Sequence, residues 1–169
     1  AEPVATKDGL VILPLNLGLF AVSMTDGKVV WKKDYAVKKK GVFTVKPTDA
    51  STVLGFNSDS SVLYIARTDF TEAVHPKTGA AIWPAPMPSE GSPGFLYYTS
   101  KGLLSLPSIK DATLLQNKRI AFFDPSNGNL KWEIKMKSGV KAFIQSGDTI
   151  FLSMQNALDR EAVNSFLLD

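Results

Sequence analysis

Apolar residues in this chain gather in short runs, without the spacing of an amphipathic helix. Residues 10–15, 61–66, 103–106 and 149–154 are rich in aliphatic, β-branched or aromatic side chains and are bounded by turn residues. Runs of that length and composition predict strands. Each follows a tight-turn signal: Asp8-Gly9, Asp59-Ser60, Lys101-Gly102 and Gly147-Asp148. Ahead of each turn lies another extended segment, at 4–6, 52–56, 94–99 and 140–145. Residues 119–123 form a further apolar run, and 130–136 alternate apolar and polar as a half-buried strand does. The unit so predicted has four strands, A to D. Only 155–163 has appreciable helical propensity, and it is barely two turns long.

One short phrase recurs between strands C and D. It reads Ser-Met-Thr-Asp-Gly-Lys-Val-Val-Trp at 23–31, His-Pro-Lys-Thr-Gly-Ala-Ala-Ile-Trp at 75–83 and Asp-Pro-Ser-Asn-Gly-Asn-Leu-Lys-Trp at 124–132. Gly27, Gly79 and Gly128 are each followed four residues later by a tryptophan, and Trp31, Trp83 and Trp132 are the chain's three tryptophans. Their spacings, 52 and 49 residues, imply stacked copies of one supersecondary unit. Asn127-Gly128 is a strong hairpin signal, and Asp26-Gly27 and Thr78-Gly79 serve the other copies. The repeats are expected at about 3–36, 42–88, 92–137 and 138–169 within one segment spanning 1–169. In the fourth, 166–169 aligns with 121–124, and the sequence stops before a corresponding glycine and tryptophan. The expectation is three complete units and a partial fourth, with a bare strand edge that another chain, a second copy or further sequence would cover.

The phrase resembles the PQQ-like, quinoprotein-type β-propeller repeat, whose pattern is Ala-x-Asp-x-x-Thr-Gly-x-x-x-Trp. The third copy matches at Asp124, Gly128 and Trp132, although Ala121 sits one residue before its place. The first has Ser23 at the aspartate position, the second has His75, and the fourth offers only Asp169. The resemblance implies an all-β propeller of four-stranded antiparallel blades. The chain would be part of a ring of seven or eight, with each tryptophan wedged between neighbouring blades. The physics agrees, because a lone four-stranded sheet cannot bury both faces and stacking supplies the core. An indole fills such a gap and brings an N–H that needs an acceptor.

Composition narrows the chemistry. The net charge is +3, but Lys32, Lys33, Lys38, Lys39, Lys40 and Lys46 stand against only Asp34 between Trp31 and Lys46. This stretch reads as a solvated lysine-rich loop. The chain's three arginines, Arg67, Arg119 and Arg160, are scattered, so no nucleic-acid footprint is expected. Without cysteine there is no disulfide, thiolate nucleophile or Cys-ligated metal. No apolar run reaches the eighteen residues of a membrane span.

No catalytic, cofactor-binding or metal-binding residue emerges. The quinoprotein dehydrogenases of the family use PQQ, a calcium ion and often a vicinal disulfide. Here cysteine is absent, the tryptophans are committed to blade seams and no oxygen-rich calcium loop is evident. His75, the only histidine, occupies a turn slot and is read as a hydrogen-bonding turn residue. Asp111, Asp159 and Glu161 read as surface charge. No cofactor is expected, and the balance is against an enzyme.

The long connections, 32–51, 84–93, 109–118 and 155–163, all fall on one face of the expected ring. That face carries the lysines, the Pro-rich segment at 84–88, and Leu114 and Leu115. Loops on a rigid scaffold are where function concentrates. The leading expectation is a non-enzymatic scaffold or recognition module for a protein or peptide partner, with self-association through the unfinished blade a further route. Two alternatives stay open. One is a supporting part of a propeller enzyme whose site lies in other blades. The other is a carbohydrate-binding module using Tyr35 and Phe43 as exposed aromatics. An extracytoplasmic, bacterial location follows from the resemblance alone.

Overall fold

The computed structural model describes residues 2–15, 18–35, 52–68, 70–88, 93–108, 118–136, 138–155 and 161–168. Among the described residues, fifteen strands form four antiparallel sheets, each in simple meander order. Sheet 1 comprises β1 (Val4–Ala5), β2 (Leu10–Leu15), β3 (Gly18–Ser23) and β4 (Val29–Asp34). Sheet 2 comprises β5 (Val53–Phe56), β6 (Leu63–Ala66), β7 (Phe70–Val74) and β8 (Met87–Pro88). Sheet 3 comprises β9 (Pro93–Thr99), β10 (Gly102–Pro107), β11 (Lys118–Phe123) and β12 (Leu130–Met136). Sheet 4 has three strands: β13 (Gly139–Ser146), β14 (Thr149–Gln155) and β15 (Glu161–Leu167). The all-β blade architecture expected from the pattern is the one observed.

The core is divided among the seams between successive sheets. Ile12, Leu19 and Ala21 of sheet 1 meet Leu63, Ile65 and Val74 of sheet 2. Tyr64, Ala73 and Trp83 of sheet 2 meet Leu103, Ala121 and Phe123 of sheet 3. Leu104, Leu106, Ile120 and Phe122 of sheet 3 meet Val140, Ile150 and Leu152 of sheet 4. Adjacent residues on the second strand of a blade therefore face opposite seams: Leu63 and Ile65 one way, Tyr64 the other. Alternation is a property of side-chain direction along a strand. A strand covered on both faces must then be apolar at nearly every position, which is why β6 and β10 are almost continuous hydrophobic runs.

Three expectations need correction. The 155–163 stretch is not helical where it is described: Gln155 closes β14, Glu161 opens β15, and 156–160 lie outside the described residues. Pairing with β14 across all seven positions of β15 outweighs a weak local preference. The fourth blade's third strand is accordingly Glu161–Leu167, beginning three residues before the 164 that follows from aligning 166–169 with 121–124 and the strand at 119–123. Finally, 84–93 is not simply a connection. The D strand of sheet 2 is broken after a bridge from Val74 to Ala81 and resumes as β8, where Met87 and Pro88 pair with Thr71 and Phe70. Pro84 and Pro86 lack the N–H that a continuous ladder needs, so this part of the chain peels away.

Candidate functional site

Each tryptophan follows a local irregularity. The ladder from β3 to β4 slips by one residue between Ala21 and Val22, and that from β11 to β12 slips between Phe122 and Phe123. Val30 and Lys131 are the extra residues. A bulge of this kind bends its strand and re-aims the next side chain, here Trp31 and Trp132. Trp31 then reaches the next blade, where its Nε1 donates to the Pro76 carbonyl at 2.8 Å. Trp83 repeats the contact, donating to Pro125 O at 2.9 Å. Both rings lie on glycines in the left-handed region: Gly79 at φ +69° and Gly128 at φ +80°. A Cβ on Gly79 would come within 2.8 Å of Trp31 Cε3, and one on Gly128 within 2.6 Å of Trp83 Cδ2. Glycine is required there both by backbone conformation and by the ring.

The turns hold themselves in shape locally. Ser23 Oγ accepts from the Thr25 amide, and Asp124 Oδ1 accepts from the amide and hydroxyl of Ser126. The Ser126 hydroxyl, and then its amide, keep the Asp124 carboxyl below the usual carboxylate range. His75 keeps only the backbone part of this role. Its carbonyl accepts from Thr78 and Gly79, and its exposed imidazole has no hydrogen-bond partner among the described residues.

The break in sheet 2 creates a cleft between the first two blades. Its volume is about 230 Å³. Tyr35, Phe70 and Trp83 line it, with Pro84, Ala85 and Pro86 passing over one side. Its charged wall is Glu72, whose side chain is only 5% exposed. Lys33 Nζ lies 2.6 Å from Glu72 Oε2, and the Tyr35 hydroxyl donates to Oε1 at 2.7 Å. A carboxylate so deeply placed needs partners on both oxygens, and it has them. Tyr35 is further held by the Phe70 ring at 5.1 Å and by the Arg67 guanidinium 4.5 Å from its centroid. Arg67 in turn donates to Thr52 Oγ1.

Two sequence expectations change here. Lys33 is no solvated loop residue but part of a charge pair reaching the next blade. Tyr35, expected as an exposed aromatic, is half-buried against Phe70 and Glu72. Lys38, Lys39, Lys40, Phe43, Lys46, Asp111, Leu114, Leu115, Asp159 and Arg160 lie outside the described residues. Among the described residues no three His, Asp or Glu side chains gather, and no helix is long and apolar enough to cross a membrane. The Glu72 site was not legible in the sequence. Its one advance signal was an isolated acid within the apolar stretch of β7, and its partners lie 37 and 39 residues away.

No family model and no curated protein matches the chain. Solved structures do. A computationally designed protein, Ika8, superimposes with TM-score 0.67 at 11% identity over 98% of this chain and 44% of its own. The WD40 domain of Pan2 from Neurospora crassa gives 0.59 at 12% identity, over 99% and 48%. The β-propeller domain of Cps50 (Swd1) from Myceliophteria thermophila gives 0.55 at 12%, over 94% and 57%. These likenesses show the fold, a set of β-propeller blades. The chain spans less than two-thirds of each of these neighbours.

Proposed function

We propose that the chain is a non-enzymatic propeller segment that recognises a protein or peptide partner. The reading rests on the cleft between the first two blades. Its volume, about 230 Å³, falls below the roughly 300–1,000 Å³ of ordinary small-molecule and cofactor sites. It suits one or two side chains of a polypeptide. The walls are aromatic and proline-rich, and the one deep charge is already neutralised by Lys33. Such a surface favours an apolar anchor residue over a charged substrate. The strand ends bearing Lys33, Tyr35 and Phe70 lie on the side of the long connections, so a bound segment would run along that face. We assign the repeat to the PQQ-like type on its glycine–tryptophan phrase, and with it an extracytoplasmic location; both rest on resemblance.

The test is selection of displayed random peptides on the folded chain. Enriched peptides should lose at least about tenfold in affinity against Ala81→Phe, which fills the cleft from an exposed position. The variant's melting temperature should be unchanged. Failure to enrich any peptide, or equal binding to the filled variant, refutes the reading.

A further inference from the structure

The second blade departs from the first and third at one backbone rung. In those two, the residue ten before the tryptophan pairs with it across the ladder from strand C to strand D: Ala21 with Trp31, and Phe122 with Trp132. The equivalent pair in sheet 2, Ala73 with Trp83, is not formed. Its two strands meet at Val74 and Ala81 and next at Thr71 and Met87. Residues 72 and 73 of β7 therefore face five residues, 82–86, which bow away from it. Pro84 and Pro86 within the bow have no N–H with which to rejoin the ladder.

The bow frees a donor. Arg67 N donates to Phe70 O at 2.8 Å, so that pair is a hydrogen-bonded one. Bonded and non-bonded pairs alternate along an antiparallel ladder. Glu72 thus bonds to Ile65 of β6, whereas Ala73, opposite Tyr64, turns its N–H and C=O outward, toward the bow. The carbonyl is taken, because Ile82 N donates to it at 2.8 Å. The N–H has no acceptor among the described residues, although Ala73 is only 1% exposed. Buried backbone N–H groups are paired almost without exception, so water or a ligand must supply this acceptor. Ala73 lines the cleft between the first two blades, beside Trp83 and the bowed prolines.

We propose that the Ala73 N–H is the group with which the cleft reads its ligand. It binds a neutral main-chain carbonyl of an extended peptide whose apolar side chain enters between Tyr35, Phe70 and Trp83. The inference rests on the cleft reading above and names what the cleft recognises. The segment lies where the bow has left the sheet and adds one rung to the edge of β7, a short form of strand addition. The rung sets its direction and register, and the aromatic walls select the side chain. A carboxylate is a poorer ligand: one neutral donor does not replace the water that a charge gives up, and Glu72 stands in the same wall.

The first test needs no ligand. In native-state hydrogen exchange of the isotope-labelled chain, the Ala73 amide should exchange at least tenfold faster than those of Glu72 and Val74, its neighbours on the same strand. Equal protection overturns the proposal, since the N–H is then already bonded. The second test adds N-acetyl-leucine methylamide, which carries main-chain carbonyls and one apolar side chain. At millimolar concentration it should move the Ala73 N–H resonance and slow its exchange at least tenfold, and Ala81→Phe should abolish both effects. The 4-methylpentanoate ion, with the same isobutyl group on a carboxylate, should bind at least tenfold more weakly. Shifts confined to the Tyr35, Phe70 and Trp83 side chains, with Ala73 silent, overturn the proposal and leave an apolar cleft standing. Equal binding by the carboxylate, or no shift at any cleft residue, overturns it as well. The cleft reading itself is decided separately, by the peptide selection.

Discussion

The three motif glycines provide an internal experiment on the blade seam. Gly27, Gly79 and Gly128 share nearly the same backbone, with φ of +70°, +69° and +80°. An alanine at any of them therefore meets the same left-handed strain, about 1–2 kcal/mol. Their surroundings differ. A Cβ at Gly27 has nothing within 4 Å, whereas one at Gly128 would sit 2.6 Å from Trp83 Cδ2 and Cε3, and one at Gly79 2.8 Å from Trp31 Cε3. The indole must then move out. Overpacking of this kind costs about 1–3 kcal/mol, and losing the hydrogen bond to Pro125 or Pro76 adds about 1 kcal/mol. Gly27→Ala should thus cost about 1–2 kcal/mol, and Gly79→Ala and Gly128→Ala about 3–6 kcal/mol each. Urea unfolding monitored by circular dichroism measures all three against the parent. Equal costs within about 0.5 kcal/mol would mean that backbone strain alone is at work, and the argument that the rings rest on these glycines would fail.

Removing the ring probes the same seam from the other side: Trp83→Ala should cost about 3–5 kcal/mol and Trp132→Ala distinctly less, since only the former is enclosed; a Trp83 loss below about 1 kcal/mol in urea melts contradicts the seam. Glu72→Gln should destabilise by about 2–4 kcal/mol because it strands the Lys33 ammonium beside the cleft. Glu72→Leu combined with Lys33→Met should recover most of that loss in the same melts, and a double variant as unstable as the single would show that the pair itself matters. Burial, with Tyr98, Asp124 and Asp59 nearby, pushes the Tyr64 phenol up to about 12. Because the unfolded phenol ionises near 10, the folded state holds its proton longer, and stability should fall as pH rises from about 10 to about 12. Absorbance titration should show one phenol ionising late, and a Tyr64→Phe chain should lose that component; a full set of phenols titrating near pH 10 contradicts the burial argument.

The strand pattern, the turn glycines and the tryptophan phrase were all legible in the sequence, because each is a local requirement. Alternation follows from strand geometry, and a left-handed turn position selects glycine whatever lies around it. From these the stacked-blade architecture followed. The tertiary structure alone decided what each tryptophan meets. Trp31 and Trp83 find a proline carbonyl and a glycine 42–48 residues ahead in the next blade, while Trp132 faces an open groove. It also decided that Lys33 and Tyr35 converge on Glu72, which no spacing in the sequence announces. The break in the second blade lies between these cases. Pro84 and Pro86 marked an interruption, but the cleft exists only because the strand resumes at Met87 against Thr71. Local signals are written in neighbouring residues, whereas burial and charge pairing depend on segments that only folding brings together.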